Sequence, residues 1–158
     1  LLLRPVSPTL GLLMLVFEST GIVIKTFARV LYITPLWVLD GAGSLGALEA
    51  GQLQSISLVL LKANDYGAAT ALAFFGISTL LMGDLIFRST YLPRWLGVLG
   101  MIAGLGWLTF IYPPLGRNIF IFVALFALIG AAAKIFWLIA FGVDEEKFRE
   151  VEARIRES

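Results

Sequence analysis

The stretch PTLGLLMLVFESTGIVIKTFARVLYITPLWVL, residues 8–39, decides the fold. It is a long apolar run that contains three charges, Glu18, Lys25 and Arg29, which we call the charged stripe. Seven and eleven residues are close to two and three helical turns, so these side chains fall within roughly 40° of one another on a helix. Because charges are costly inside a bilayer, the stripe is expected to face protein or water rather than lipid.

The composition of the whole chain is that of an integral membrane protein. Of its 158 residues, 59% are hydrophobic and the mean hydropathy is +0.91, whereas soluble domains are roughly 45–50% apolar. Ten of the 23 charged residues lie in positions 144–158. A soluble globule could not cover its surface with the charges that remain. We therefore predict a transmembrane domain over residues 1–143, in contact with the lipid bilayer, and a charged tail over 144–158.

The apolar runs predict an all-α membrane protein built as a four-span helix bundle. The first span is long enough to need a tilt or a break at Pro35. An amphipathic pattern predicts a short surface helix at about 49–61, and acid–base pairs such as Glu145–Arg149 predict a helical, amphipathic tail. The four spans are predicted at about 9–39, 66–87, 95–112 and 119–141.

Two absences restrict the chemistry. The chain has no cysteine and no histidine. This excludes disulfides, thiolate zinc sites, imidazole ligation of metal or haem, and any catalytic triad with a histidine base. The net charge of +1 gives no indication of nucleic-acid binding. The sequence predicts no catalytic residue, no metal and no cofactor.

Lysine and arginine in the short loops predict the orientation. One side carries Arg4, Arg88, Arg94 and the basic residues of the tail, and the other carries Lys62 and Arg117. We expect the tail to be cytoplasmic. The chain opens on an apolar Leu1–Leu3 with no initiator methionine, so we expect it to be a fragment that lacks upstream residues.

Depth along each helix, at about 1.5 Å per residue, predicts partners for the intramembrane charges. Glu18 and Lys134 come out near one level and are predicted to form an ion pair across the bundle. Arg29 and Asp65 both come out at the far interface and could pair likewise, whereas Lys25 has no obvious partner. Asp84 and Arg88 form an i, i+4 pair.

One face of the third span carries Gly97, Gly100 and Gly104, a spacing typical of close helix packing in membranes. Packing inside the bundle is the first interpretation. Self-association of two chains through this face is the alternative.

Three classes of function follow. The leading hypothesis is a non-catalytic accessory or interaction subunit of a membrane complex, which binds other transmembrane subunits through the tail or the glycine face. The second is a small transporter or channel for ions, protons or a ligand, with a charged path along Glu18, Lys25, Arg29 and Lys134. The third is an intramembrane enzyme, for which Asp65 beside Tyr66 is the one acid–base pair worth inspection.

A longer stretch resembles a known family. It comprises Asn64-Asp65-Tyr66-Gly67, Phe74-Phe75-Gly76, the run from Leu85 to Leu99 that contains Arg88-Ser89-Thr90-Tyr91-Leu92-Pro93-Arg94, and Ile102-Ala103-Gly104-Leu105-Gly106. These motifs are similar to those of a bacterial membrane family catalogued as domain of unknown function 4386. The resemblance covers Leu1 to about Val143.

The resemblance implies six spans, of which this chain would hold the last four, in a bacterial inner membrane. It brings no activity, substrate or catalytic residue. This sequence departs from the family pattern at two positions: Ala131 stands where relatives tend to carry an acidic residue, and Asn64 where they tend to carry histidine. Chemistry built on those polar groups in relatives is therefore not expected here.

Overall fold

The computed structural model describes residue 3 and residues 5–40 and 48–156, with the side chains of 152 and 154–156 excepted. The predicted glycine loop at 41–46 and Arg4 lie outside the described residues. The described chain is helical, and four of its helices are long and apolar enough to cross a membrane. The elements are α1 (Pro8–Leu39), α2 (Ala50–Arg88), α3 (Arg94–Leu108) with a 3₁₀ extension (Thr109–Ile111), α4 (Pro113–Asn118), α5 (Phe120–Ala140) and α6 (Glu145–Arg156).

The all-α membrane bundle is confirmed, but several boundaries differ from the prediction. The surface helix at 49–61 and the span at 66–87 are one helix, α2, of 39 residues. Helix α1 does not break at Pro35, which is buried within it. The predicted turn at 113–118 is the short helix α4, which has Pro113 in its first turn.

A heptad of buried positions explains why α2 continues where a break was predicted. These positions are small or polar for the most part, and they recur every seven residues: Ser57, Asn64, Ala71, Ser78 and Leu85. Gly21, Ala28 and Pro35 form the matching buried row on α1. A seven-residue repeat keeps one seam facing a partner helix, as in a coiled coil. Packing against α1 therefore keeps α2 helical through the Asn64–Gly67 region.

The helices pack in a row, α1 on α2, α2 on α3 and α3 on α5. Glycines set the closest approach, that of α2 and α3. A Cβ added to Gly104 would lie 2.7 Å from the Leu80 nitrogen, and one added to Gly76 would lie 2.9 Å from the Leu108 nitrogen. The predicted glycine face is therefore filled by α2 of the same chain. Two chains could associate through the glycine face only if α2 moved away from α3.

One end of the row is closed by an apolar cluster. The turn from α2 to α3 buries Tyr91 and Leu92, and Leu3, Trp137 and Phe148 pack around them. This places the start of α1, the α2–α3 turn, the end of α5 and helix α6 together. Helix α5 ends at Ala140 and is followed by Gly142, whose φ of 68° lies in the left-handed region that glycine adopts without strain.

Candidate functional site

Charges at two levels bracket the membrane-spanning part of the row. One level contains Arg88 and Arg94, where α2 ends and α3 begins. The other contains Arg29, Asp65 and Arg117, since Gly67 packs against Ala28 of α1 and Arg117 reaches Asp65. Helix geometry puts the two levels about 30–35 Å apart, close to the ~30 Å hydrocarbon layer. The 21 residues of α5 span about the same distance.

Helices α1 and α2 continue past the second level as a pair, which we call the projecting hairpin (residues 30–39 and 50–64). Helix α2 is about 58 Å long in total, and about 22 Å of it lies beyond Asp65. The polar zone of a bilayer adds only about 5–8 Å on each side. Helix α2 is therefore longer than the hydrocarbon layer that the lengths of α3 and α5 match, by about 22 Å beyond Asp65.

The surface of the projecting hairpin is apolar. Trp37 is 69% exposed, Leu36 67% and Val59 66%, and further exposed side chains include Val30, Tyr32, Ile33, Leu39, Ile56 and Leu58. In a membrane span such exposure is ordinary because lipid covers the side chains. Outside the bilayer, a contiguous apolar patch marks an interaction surface.

A second feature lies inside the bilayer, around Lys134 of α5. Lys134 and Met82 of α2 both line two cavities, one of about 200 Å³ and one of about 230 Å³. We call the first the Lys134 cavity. Its walls come from all four spans: Met14 of α1, Ile86 of α2, Leu96 of α3 and Leu138 of α5 are among them. Helices α1 and α5 are not neighbours in the row, and the cavity lies in the groove between them.

The predicted Glu18–Lys134 ion pair is not formed. Lys134 Nζ lies 3.4 Å from the sulfur of Met82, and no direct ion pair joins it to a carboxylate of the described residues. Glu18 is half-buried and within electrostatic range of Lys134. Depth along the helices placed both residues at one level, but the groove between α1 and α5 keeps them apart.

The predicted Arg29–Asp65 pair is also replaced. Asp65 pairs with Arg117 of α4, with 3.3 Å between Oδ2 and Nη2. The guanidinium of Arg29 instead lies over the ring of Tyr32, 5.4 Å from its centroid. Lys25 is half-buried within electrostatic range of Asp65 and Arg29. The far end of the charged stripe thus contributes to an interfacial belt of charge.

Two local ion pairs agree with the prediction. Asp84 and Arg88 are joined at 2.9 Å on α2, and Glu145 and Arg149 at 3.4 Å on α6. Neither pair lines a cavity of the bundle interior. Within the described residues, no group of three or more carboxylates is close enough to hold a metal ion. Tyr66, the proposed partner of Asp65 in catalysis, is exposed on α2, and its backbone carbonyl accepts a hydrogen bond from Thr70.

Helix α6 is attached to the bundle. The backbone N–H of Asp144 donates to the carbonyl of Tyr91 at 3.4 Å, and the Phe148 ring meets the Tyr91 ring edge to face at 5.3 Å. Burial raises the pKa of Tyr91. Phe148 of the tail is therefore used within the chain, and the charged side chains of Glu145 and Arg149 are left exposed.

Sequence reasoning missed both the projecting hairpin and the Lys134 cavity. The first was missed because the run was divided into a surface helix at 49–61 and a span at 66–87, although the seven-residue spacing from Ser57 to Leu85 is visible in the sequence. The second depends on the lateral order of the helices, which no sequence pattern of this chain indicates.

Comparison with known proteins identifies the family and brings no activity. An uncharacterized protein of Archaeoglobus fulgidus is 30% identical over 143 residues, which are 89% of this chain and 70% of that protein. No solved structure matches the chain. The profile of the family described as "Domain of unknown function (DUF4386)" matches residues 1–142. The chain therefore belongs to this family.

Proposed function

We propose that this protein is a non-catalytic interaction subunit of a membrane complex, and that the projecting hairpin binds the partner. The observation that carries the proposal is the position of the apolar surface. Trp37, Leu36 and Val59 lie on helices that run past the bilayer level marked by Asp65 and Arg117. Water is a poor environment for such a patch, and an apolar surface of a neighbouring membrane protein would cover it.

The architecture of the hairpin supports this role. Ser57, Pro35 and Val38 are buried between the two helices, so the outer side chains are presented on a packed two-helix unit. A rigid surface loses little conformational entropy when it binds. The sequence suggested the glycine face and the tail as contact surfaces, and within the chain α2 covers the glycine face and Phe148 of the tail packs on the bundle.

The test is the mass of the particle purified in mild detergent. The wild-type particle should be heavier than one 17.3 kDa chain plus detergent. Combined Trp37→Glu and Val59→Glu substitutions should reduce it to the single chain without lowering the melting temperature. Gln54→Glu is the matched control, since it adds a charge to the hairpin at an exposed polar position. A monomeric wild type, or a complex that survives the double substitution, would refute the proposal.

We further propose that the end carrying α6 is cytoplasmic, in the plasma membrane of a bacterial cell. Arg88, Arg94, Lys147 and Arg149 support this, since positive charge in short loops favours the cytoplasmic side. The chain has no cysteine, so single cysteines can be labelled cleanly. A membrane-impermeant maleimide should label Gln54→Cys in intact cells, and Glu146→Cys only after permeabilisation. The reverse pattern would invert the topology.

Transport is the second candidate, because two cavities share Lys134 and Met82 as common lining. A path would join them to Glu18 and, further along α1, to Lys25 and Arg29. Flux of protons, cations or anions into liposomes, lost with Lys134→Met or Lys25→Leu but kept with Lys62→Met, would support this candidate. Absence of all three fluxes would eliminate it.

A further inference from the structure

The Lys134 cavity combines one cationic side chain with apolar walls. Apart from Lys134, its lining consists of leucine, isoleucine and methionine side chains. Water is held in a buried cavity by two to four polar partners, and this lining offers one nitrogen. The cavity is therefore suited to hydrocarbon, with a single place for an anion.

We propose that the Lys134 cavity binds a single-chain fatty carboxylate. The carboxylate head accepts a hydrogen bond from Lys134 Nζ, and the chain lies among Met14, Ile86 and Leu96. Lys134 has only the weak acceptor sulfur of Met82 as a hydrogen-bond partner among the described residues. A carboxylate would replace that contact with a charge-assisted hydrogen bond.

The size of the cavity favours one chain over two. About 200 Å³ is below the ~300–1,000 Å³ of sites that enclose drug-sized ligands. One hydrocarbon chain can enter such a space, whereas a phospholipid has two. Lys134 lies six residues before the end of α5, about 9 Å from the membrane surface, and Ile86 and Leu96 lie between it and that surface. The bound ligand therefore has its carboxylate at the inner end of the cavity and its chain toward the surface.

Glu18 limits the affinity for an anion. It lies one turn beyond Met14 on α1 and within electrostatic range of Lys134. A bound carboxylate would be repelled by the Glu18 carboxylate, which lies within electrostatic range of Lys134. The site should therefore bind more tightly when Glu18 is replaced by glutamine, an effect that hydrophobic partition into the groove would not produce.

The test is native mass spectrometry of the detergent-purified chain at constant detergent concentration, titrated with decanoate. Decanoate should bind with a stoichiometry of one, and decanol and decyltrimethylammonium about tenfold more weakly or less. Lys134→Gln should weaken decanoate binding about tenfold, Glu18→Gln should strengthen it severalfold, and Lys62→Gln should leave it unchanged. Equal binding of decanol, or an unchanged affinity in Lys134→Gln, would overturn the proposal.

Two tryptophan substitutions on α5 test the site if Lys134→Gln does not fold. Leu138→Trp fills the cavity while Lys134 stays, and should abolish binding. Ile139→Trp is its control, because Ile139 is 82% exposed and does not line the cavity. Equal decanoate binding by these two variants would refute the site. If phosphatidylglycerol bound tightly and decanoate did not bind, the single-chain ligand would be refuted. Either failure leaves the interaction role of the projecting hairpin standing, since it rests on other residues.

Discussion

Gly83 of α2 and Gly97 of α3 meet backbone to backbone. A Cβ on Gly97 would lie 2.7 Å from the Gly83 carbonyl oxygen and 2.6 Å from the Phe87 nitrogen. Neither neighbour is the flexible end of a side chain, so α2 and α3 would have to separate. In a membrane, where lipid is as apolar as the helices, such close packing is a main source of helix association.

Gly97→Ala should therefore lower stability by roughly 1–3 kcal/mol, the usual cost of overpacking. Thermal unfolding in detergent would measure it. Gly51→Ala is the matched control, because a Cβ there meets nothing within 4 Å. In a helix, alanine is better than glycine by roughly 0.5–1 kcal/mol, so the control should be neutral or slightly stabilised. Equal effects in the two variants would contradict the close approach.

Ser57→Ala should leave the projecting hairpin as stable as before or raise its stability by up to about 1 kcal/mol. Ser57 is 4% exposed, and its Oγ has no hydrogen-bond partner in the part of the chain that the structure describes. Removing a buried, unsatisfied hydroxyl removes a desolvation cost. Hydrogen exchange of residues 50–64 would report the change.

Ser55→Ala is the comparison for that experiment. Ser55 is exposed on the same helix and bonds to the Gly51 carbonyl of its own turn, so its loss should change exchange little. A marked destabilisation by Ser57→Ala would mean that the hydroxyl has a partner after all.

The start of α6 should depend on pH through Asp144. Its carboxylate accepts hydrogen bonds from the Lys147 side chain and the Lys147 backbone N–H, and these hold the pKa of Asp144 below its usual value. A depressed pKa in the folded state means that the stabilisation is present above about pH 4 and is lost as pH falls through the folded pKa. Protection of the Lys147 and Phe148 amides should decline in that acidic range.

The variant Asp144→Asn tests whether the pH dependence comes from the carboxylate charge, because it keeps a side chain that can cap the start of α6. Asparagine caps a helix about as well as aspartate, so the helix start should persist at neutral pH and its protection should no longer change between pH 5 and pH 2.5. Glu146→Gln, two residues on, should keep the wild-type profile. A pH response that survives Asp144→Asn would assign the titration to another group.

Phe148→Ala should release α6 from the bundle. The edge-to-face contact with Tyr91 and burial in the apolar cluster together fix the tail, and truncation of a partly buried phenylalanine costs about 2–4 kcal/mol at such a site. Limited proteolysis should cleave after residue 143 faster in this variant. Arg149→Ala, at an exposed position, should not change the rate.

The positions of the helices along the chain were predicted better than the contacts between helices. The common face of Glu18, Lys25 and Arg29 and their depths along the first span could be predicted, because both follow from the geometry of a single helix. The partners of Glu18 and Asp65 were wrong because pairing depends on which helix lies beside which, and on the turn of each about its axis. Asp65 meets Arg117 because α4 packs on the 3₁₀ extension of α3, through Gly116 on Phe110, and from there the Arg117 side chain reaches α2.

The division of α2 was wrong for a different reason. Gly67 weakens a helix in isolation, and Asn64-Asp65 is a common helix start. In the bundle, Gly67 gives Ala28 room to approach, and Asn64 lies in the buried row that faces α1. Tertiary packing outweighed local propensity, and the projecting hairpin is the result.

The row of helices has a consequence for biogenesis. Each span packs chiefly on the span that precedes or follows it in the chain, so the pairs α1–α2, α2–α3 and α3–α5 can form in the order in which they leave the ribosome. Each span can pack on its main partner as soon as the next span is synthesised. Proteins rich in such local contacts assemble rapidly. A chain stopped after α3 would already hold its tightest interface, and α5 would join a finished surface.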